Sequence, residues 1–147
     1  MLRSVVSVFV LLTVLVMAGA RATTANEPAF KVIVNPRNPA SAIDRDFLRN
    51  AFLKKAAVWR TTGDTIRPIG LSSKFPARDQ FTRKVLKKTP AQLKAYWNQQ
   101  IFSGKGVPPP EADSTADMIA YVLAHPGAVG YLPAGVDAGD AKVVEVR

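Results

Sequence analysis

A loop with the sequence SSKFPARDQF, beginning at Ser72, brings together residue types that bind anions. Ser72 and Ser73 supply hydroxyl groups, Lys74 and Arg78 supply positive charge, and Pro76 is typical of the first position of a helix. The start of a helix presents unpaired backbone N–H groups, and a guanidinium group binds two phosphate oxygens at once. We therefore predict that Ser72, Ser73, Lys74 and Arg78 form a site for phosphate or another small oxyanion.

Two considerations limit the affinity for an oxyanion that we predict for this loop. Pro76 has no N–H group, and without glycine the backbone cannot approach an oxyanion closely. Two or three charge-assisted hydrogen bonds of about 1.5–3 kcal/mol each, less the cost of association, leave a dissociation constant near ~1 mM. The alternative interpretation is that Arg78 pairs with Asp79, Asp46 or solvent.

Residues for catalysis or metal binding are scarce. The chain has no cysteine, and its one histidine, His125, precedes a proline at the predicted end of a helix, where an imidazolium suits the helix dipole. Asp44 and Asp46 are explained by helix capping, and the segment EADSTAD lacks the spacing of a calcium loop. We predict no enzymatic activity, no metal and no cofactor.

The first 22 residues, MLRSVVSVFVLLTVLVMAGARA, have the order of a secretory signal: a basic residue, an apolar run and small residues at the end. The apolar run is shorter than the roughly 18 residues of a membrane span, so cleavage is favoured over a retained anchor. We predict a mature chain of residues 23–147 with no transmembrane span, located in the periplasm or secreted.

The charge of the chain is positive and unevenly distributed. The net charge of +9 becomes +7 without the two arginines of the predicted signal, and most basic residues lie between Lys31 and Lys105. An anionic partner is favoured, although a basic surface is also compatible with ordinary solvation. No aromatic-rich nucleic-acid motif accompanies the charge, so we predict no nucleic-acid binding.

Apolar spacing and turn residues predict alternating strands and helices. Tyr96, Trp97 and Phe102 are interpreted as core residues. The predicted elements are a strand at Phe30–Val34, a helix from Asp44 to about Ala57, a strand at Thr65–Leu71, helices beginning at Pro76 and Pro90, a stiff connector GKGVPPPEAD, a helix from Ser114 to His125, and strands AVGYL and KVVEV. This order predicts an α/β fold with a mostly parallel sheet flanked by helices.

Four segments together resemble the periplasmic phosphate-binding proteins of ABC transporters and their short relatives: AFLKKAAVWRTTGDTIRPIGL, the loop and helix at Ser72–Val85, AYWNQQIFSGKGVPP and HPGAVGYL. The resemblance implies one lobe of a type II periplasmic-binding-protein fold in a single domain, residues 23–147. It also implies phosphate binding and an ABC transporter permease as partner. In that family the anion loop is rich in Ser, Gly and Thr and follows an arginine, whereas here Leu71 stands near the arginine position.

Two functions remain open from the sequence. The first is a solute-binding-like protein that holds phosphate or a similar oxyanion weakly. The alternative is a non-catalytic interaction module whose basic face, from Arg45 to Lys94, contacts a protein partner or an anionic envelope surface.

Overall fold

The computed structural model describes residues 29–147, so the predicted signal segment lies outside the described residues. These residues form seven strands and four helices, numbered in chain order. The strands are β1 (Phe30–Val34), β2 (Ala42–Ile43), β3 (Arg67–Pro68), β4 (Gly70–Leu71), β5 (Glu111–Ala112), β6 (Ala128–Pro133) and β7 (Lys142–Val146); the helices are α1 (Arg45–Phe52), α2 (Pro76–Lys84), α3 (Pro90–Phe102) and α4 (Thr115–Ala124).

The main sheet has five strands in the order β2-β7-β1-β6-β3. β1 runs antiparallel to both of its neighbours, β6 and β7, whereas β2 is parallel to β7 and β3 is parallel to β6. β4 and β5 form a separate parallel pair. The predicted α/β fold with helices packed on a sheet is confirmed. The prediction that this sheet is mostly parallel is wrong: the sheet is mixed, with parallel pairings only at two-residue strands and antiparallel pairings between its longest strands. A run of buried residues does not encode strand direction.

The two central strands are buried almost throughout. In β1 and β6 all residues except Lys31 and Pro133 are buried. Burial at successive positions requires cover on both faces of a sheet, since neighbouring side chains point in opposite directions. Helices therefore pack on both faces of these strands.

Two adjacent residues of β6 show what covers each face. A Cβ atom at Gly130 would overlap the sulfur of Met118, so α4 packs against the sheet at the closest possible distance there. On the opposite face, the ring of Tyr131 stacks on Phe81 of α2 at 4.0 Å between centroids and lies 6.0 Å from Phe52 of α1.

The predicted starts of α1, α3 and α4 are confirmed by their capping bonds. The side chains of Asp44 and Ser114 accept backbone N–H groups of the first turns of α1 and α4. Thr89 and Gln92 form a reciprocal capping box at the start of α3, directly before a proline.

The predicted end of the first helix near Ala57 is wrong, because α1 ends at Phe52. Lys54 adopts a left-handed conformation with φ of 57°, and the N–H of Lys55 donates to the carbonyl of Asn50. This turn terminates the helix as a glycine cap does, although the sequence has lysine there.

The second predicted strand divides into β3 and β4, which pair with different strands. The N–H groups of Arg67 and Ile69 donate towards β6, whereas those of Gly70 and Ser72 donate to the segment that contains β5. Pro68 lies between two donors, where its missing N–H removes no bond from the sheet. This stretch therefore connects the main sheet to β5 and ends at the predicted anion loop.

α3 is the least buried of the long helices. Trp97 is its one buried residue and Tyr96 is partly buried, as predicted. The prediction that Phe102 is a core residue is wrong, because 96% of its surface is exposed, and Ile101 is 52% exposed. Within residues 29–147, none of the helices has the length and apolar character needed to cross a membrane.

Candidate functional site

An open cleft of about 430 Å³ lies between α2, α3 and the edge formed by β4 and β5. Its lining is mostly apolar, and the residues come from all the elements around it, chiefly β4, α2 with the turn that follows it, α3 and β6. They include Leu71, Phe81, Leu86, Leu93, Trp97 and Tyr131. Four charged residues, Arg78, Asp79, Lys94 and Glu111, and three uncharged polar residues, Ser73, Thr82 and Asn98, supply its polar groups.

Arg78 is held beside this cleft by two bonds from a single nitrogen. Its Nη1 donates to the carbonyl oxygen of Leu71 at 3.0 Å and to the carboxylate of Glu111. Nε and Nη2 have no hydrogen-bond partner among the described residues, and the side chain retains 28% of its exposure. A guanidinium has five N–H donors, so the edge formed by Nε and Nη2 keeps the fork geometry that binds an oxyanion.

The four predicted site residues divide into two pairs. Ser73 and Arg78 both line the cleft, whereas Ser72 and Lys74 do not. Ser72 is buried, and its Oγ has no hydrogen-bond partner among the described residues. Lys74 is exposed, with its ammonium 5.5 Å from the ring centroid of Phe75.

The start of α2 supplies few of the donors that the sequence suggests. Phe75 occupies the N-cap position without a capping side chain, and Pro76 follows it. The N–H of Arg78 already donates to the carbonyl of Phe75. The start of α2 therefore offers few free backbone donors, whereas the guanidinium of Arg78 keeps N–H groups without a partner among the described residues.

Glu111 lines the cleft and pairs with Arg78, a placement that was not predicted from the sequence. It stands on β5 opposite Gly70 of β4, and this parallel register brings its carboxylate to Arg78, 33 residues away. The predicted partners of Arg78 were Asp79, Asp46 or solvent, and the segment around Glu111 was expected to be a connector. No local pattern signals the contact, because it depends on the pairing of two-residue strands.

The floor of the cleft includes Tyr131, whose hydroxyl oxygen accepts the N–H of Leu71 at 3.2 Å. Burial raises the pKa of Tyr131 to about 12 from its ordinary value of 10.0. The phenol therefore stays neutral at physiological pH. Its hydroxyl group holds β4 in place through the bond to Leu71 and adds no charge to the cleft.

The single histidine lies away from the cleft. Nδ1 of His125 is 2.9 Å from the carbonyl oxygen of Tyr121 at the end of α4, as expected for a helix terminus. Residues 29–147 contain no group of three or more histidine or carboxylate side chains placed to hold a metal ion.

Comparisons with known proteins identify the fold. Neither a family model nor a curated protein sequence matches the chain. Among solved structures, it is similar to a putative phosphate ABC transporter substrate-binding protein with bound phosphate from Clostridium perfringens, at 16% identity and a TM-score of 0.62, over 80% of this chain and 44% of that one. PstS from Borrelia burgdorferi matches at 16% identity and a TM-score of 0.61, over 81% and 47%.

An ABC-type phosphate transport receptor from Vibrio cholerae gives a similar result, with 17% identity and a TM-score of 0.56 over 80% of this chain and 46% of that chain. The protein spans less than half the length of each of these structures. At such identities the likeness shows the fold alone. The resemblance predicted from the sequence is therefore confirmed as a structural similarity to part of phosphate ABC transporter substrate-binding proteins.

Proposed function

We propose that the protein is a non-catalytic, solute-binding-like domain of the periplasm that holds phosphate or another small oxyanion weakly at Ser73 and Arg78. One observation carries this proposal: Arg78 and Ser73 both line the cleft, and the Nε and Nη2 atoms of Arg78 have no hydrogen-bond partner among the described residues. Similar structures include one with bound phosphate. An ABC transporter permease would be the partner of such a domain.

The expected affinity is low for two physical reasons. Glu111 already neutralises part of the charge of Arg78, and the cleft is open to solvent. Water at an open cleft screens charged groups, so each contact lies towards the lower end of the roughly 1.5–3 kcal/mol of a charge-assisted hydrogen bond. We expect a dissociation constant on the order of 1 mM for inorganic phosphate.

Isothermal titration calorimetry with phosphate and sulfate tests the proposal. Arg78→Gln should weaken binding about tenfold, because the bidentate bond is lost. Arg83→Gln is the matched control, since Arg83 is an exposed arginine on the same helix that does not line the cleft. A melting curve for each variant verifies that the fold is retained.

Two results would contradict this function. The first is the absence of heat up to about 10 mM of either anion. The second is an equal loss of affinity in Arg78→Gln and Arg83→Gln, which would mean that the general positive field attracts the anion.

A second candidate function, an interaction module with a basic face, is favoured by the lysines around Tyr96. The ammonium groups of Lys55 and Lys88 lie 6.0 and 5.4 Å from the centroid of its ring, although they come from different parts of the chain. Lys84 and Lys87 are exposed nearby in sequence. Such a cluster suits an acidic surface on a protein partner or on the cell envelope.

Cosedimentation with vesicles that contain anionic lipid tests this second candidate. Binding at about 50 mM salt should be lost at about 500 mM, where the Debye length falls to about 4 Å and charges that are not in direct contact are screened. Lys87→Glu combined with Lys88→Glu should abolish retention. Retention that is insensitive to salt would argue against a basic contact face.

A further inference from the structure

The cleft is larger and more apolar than an inorganic oxyanion requires. A tetrahedral oxyanion occupies on the order of three water volumes, about 90 Å³, whereas the cleft measures about 430 Å³. Clefts of about 300–1,000 Å³ with apolar walls and a few polar groups are typical of sites for organic ligands. Inorganic phosphate would leave most of this one unfilled.

The apolar part of the cleft is formed by one side of α3 above an aromatic floor. Leu93, Trp97 and Ile101 line it at successive turns of the helix, and the stacked rings of Phe81 and Tyr131 lie at the bottom. Ile101 is half exposed although its spacing predicts a core position. A ligand with an apolar body would cover this surface.

The charged residues that line the cleft have no net charge, so they do not attract an anion as a group. Arg78 and Lys94 are balanced by Asp79 and Glu111, and all four side chains are at least partly exposed. Binding must therefore come from directional bonds together with apolar contact. The directional group is the Nε and Nη2 edge of Arg78, because Nη1 is occupied by Leu71 and Glu111.

We propose that the natural ligand is an organic oxyanion, a phosphate monoester or carboxylate whose apolar body is about the size of a phenyl ring. Its anionic group binds Arg78 and Ser73, and its body packs against α3 between Leu93 and Ile101. This inference rests on the proposed oxyanion function and specifies the class of ligand. Each methylene group that becomes buried multiplies the affinity about fourfold.

Calorimetry on the purified protein with a graded series of probes tests the inference. We expect phenyl phosphate to bind at least ten times more tightly than inorganic phosphate, with ethyl and butyl phosphate in between. Benzoate separates a carboxylate ligand from a phosphate ester. Benzyl alcohol, which has the apolar body without the charge, should bind at least ten times more weakly than phenyl phosphate.

Two pairs of variants locate the ligand. Ile101→Ala should weaken phenyl phosphate two- to fourfold and leave inorganic phosphate unchanged, whereas Phe102→Ala, next to it on α3 but outside the cleft, should change neither. Glu111→Gln should strengthen the binding of phenyl phosphate by about two- to fivefold, because the glutamine keeps the hydrogen bond to Arg78 but has no negative charge. Glu145→Gln, which removes an exposed carboxylate from β7, is its control.

The outcomes distinguish this inference from the oxyanion function itself. Equal affinities for inorganic and phenyl phosphate, both reduced in Arg78→Gln, overturn the inference and leave the oxyanion function standing. Binding of benzyl alcohol as tight as that of phenyl phosphate overturns both. Absence of binding by every probe overturns both as well. Tighter binding of phenyl phosphate or benzoate, sensitive to Ile101→Ala and not to Phe102→Ala, supports the inference.

Discussion

The two faces of the main sheet are covered in different ways. On one face, α4 packs so closely on β6 that Gly130 has no space for a methyl group, and both Met118 and Val122 are completely buried. On the other face, α2 packs on Tyr131, but α3 rests beside it with one buried residue and leaves the cleft open.

This difference separates the part of the molecule that stabilises the fold from the part that is available for binding. Fully buried side chains contribute transfer free energy and dispersion contacts, and any void among them is costly. Half-exposed apolar residues such as Ile101 contribute less to the stability of the fold, and their exposed surface remains available for contact with another molecule. We expect truncations under α4 to cost more stability than truncations of the half-exposed α3 residues that line the cleft, and we expect the latter to affect binding.

Truncation of one apolar side chain on each face gives the largest expected contrast. Met118→Ala should lower the free energy of unfolding by about 3 kcal/mol, because it opens a cavity beside Gly130. Ile101→Ala should cost less than about 1 kcal/mol, since half of that side chain is exposed already. Urea denaturation of both variants measures the difference, and equal losses would contradict the division between the faces.

The pH dependence of stability provides a second test, because Tyr131 supports the floor of the open cleft. Its pKa is raised to about 12, so the folded state holds the phenolic proton more tightly than the unfolded state does. The protonated phenol of Tyr131 therefore contributes fully to the free energy of unfolding below pH 10. This contribution is lost as the pH rises from 10 to 12, because the unfolded state releases the proton first. A shift of this size corresponds to about 2–3 kcal/mol.

Tyr131→Phe is the reference for that measurement, since it retains the stacked ring and has no proton to lose. The advantage of the wild-type protein in unfolding free energy should shrink or change sign from pH 10 to pH 12. Lysines and the other tyrosines titrate in both proteins, so their effects cancel in this difference. The loss of the acceptor for Leu71 adds a constant offset of about 1–2 kcal/mol. A difference that does not vary with pH would mean that the hydroxyl is not buried in solution.

Much of the fold could be predicted from the sequence because its signals are local. Asp44, Thr89 and Ser114 cap helices through bonds to the next three residues, and the apolar runs of β1, β6 and β7 predict strands with the observed positions. These features depend on residue type and spacing alone.

The site was less predictable because its geometry depends on contacts between distant residues. The ion pair of Arg78 with Glu111 exists through the register of β4 and β5, and the split of one predicted strand occurs at Ile69. The exposure of Ile101 and Phe102 had no sequence signal either, since helical spacing is the same for a covered side and an open one.

The smallest expected effect comes from two neighbouring serines that the structure places in different environments. The Oγ of Ser72 is buried without a described partner, so Ser72→Ala should leave stability unchanged or raise it by up to about 1 kcal/mol. Ser73 is exposed and lines the cleft, so Ser73→Ala should leave stability unchanged and weaken phosphate by a few fold. Thermal melts and calorimetry on both variants measure the two effects. If Ser72→Ala weakened phosphate binding as much as Ser73→Ala does, the buried hydroxyl of Ser72 would belong to the binding site. The binding region would then begin at Ser72 and not at Ser73.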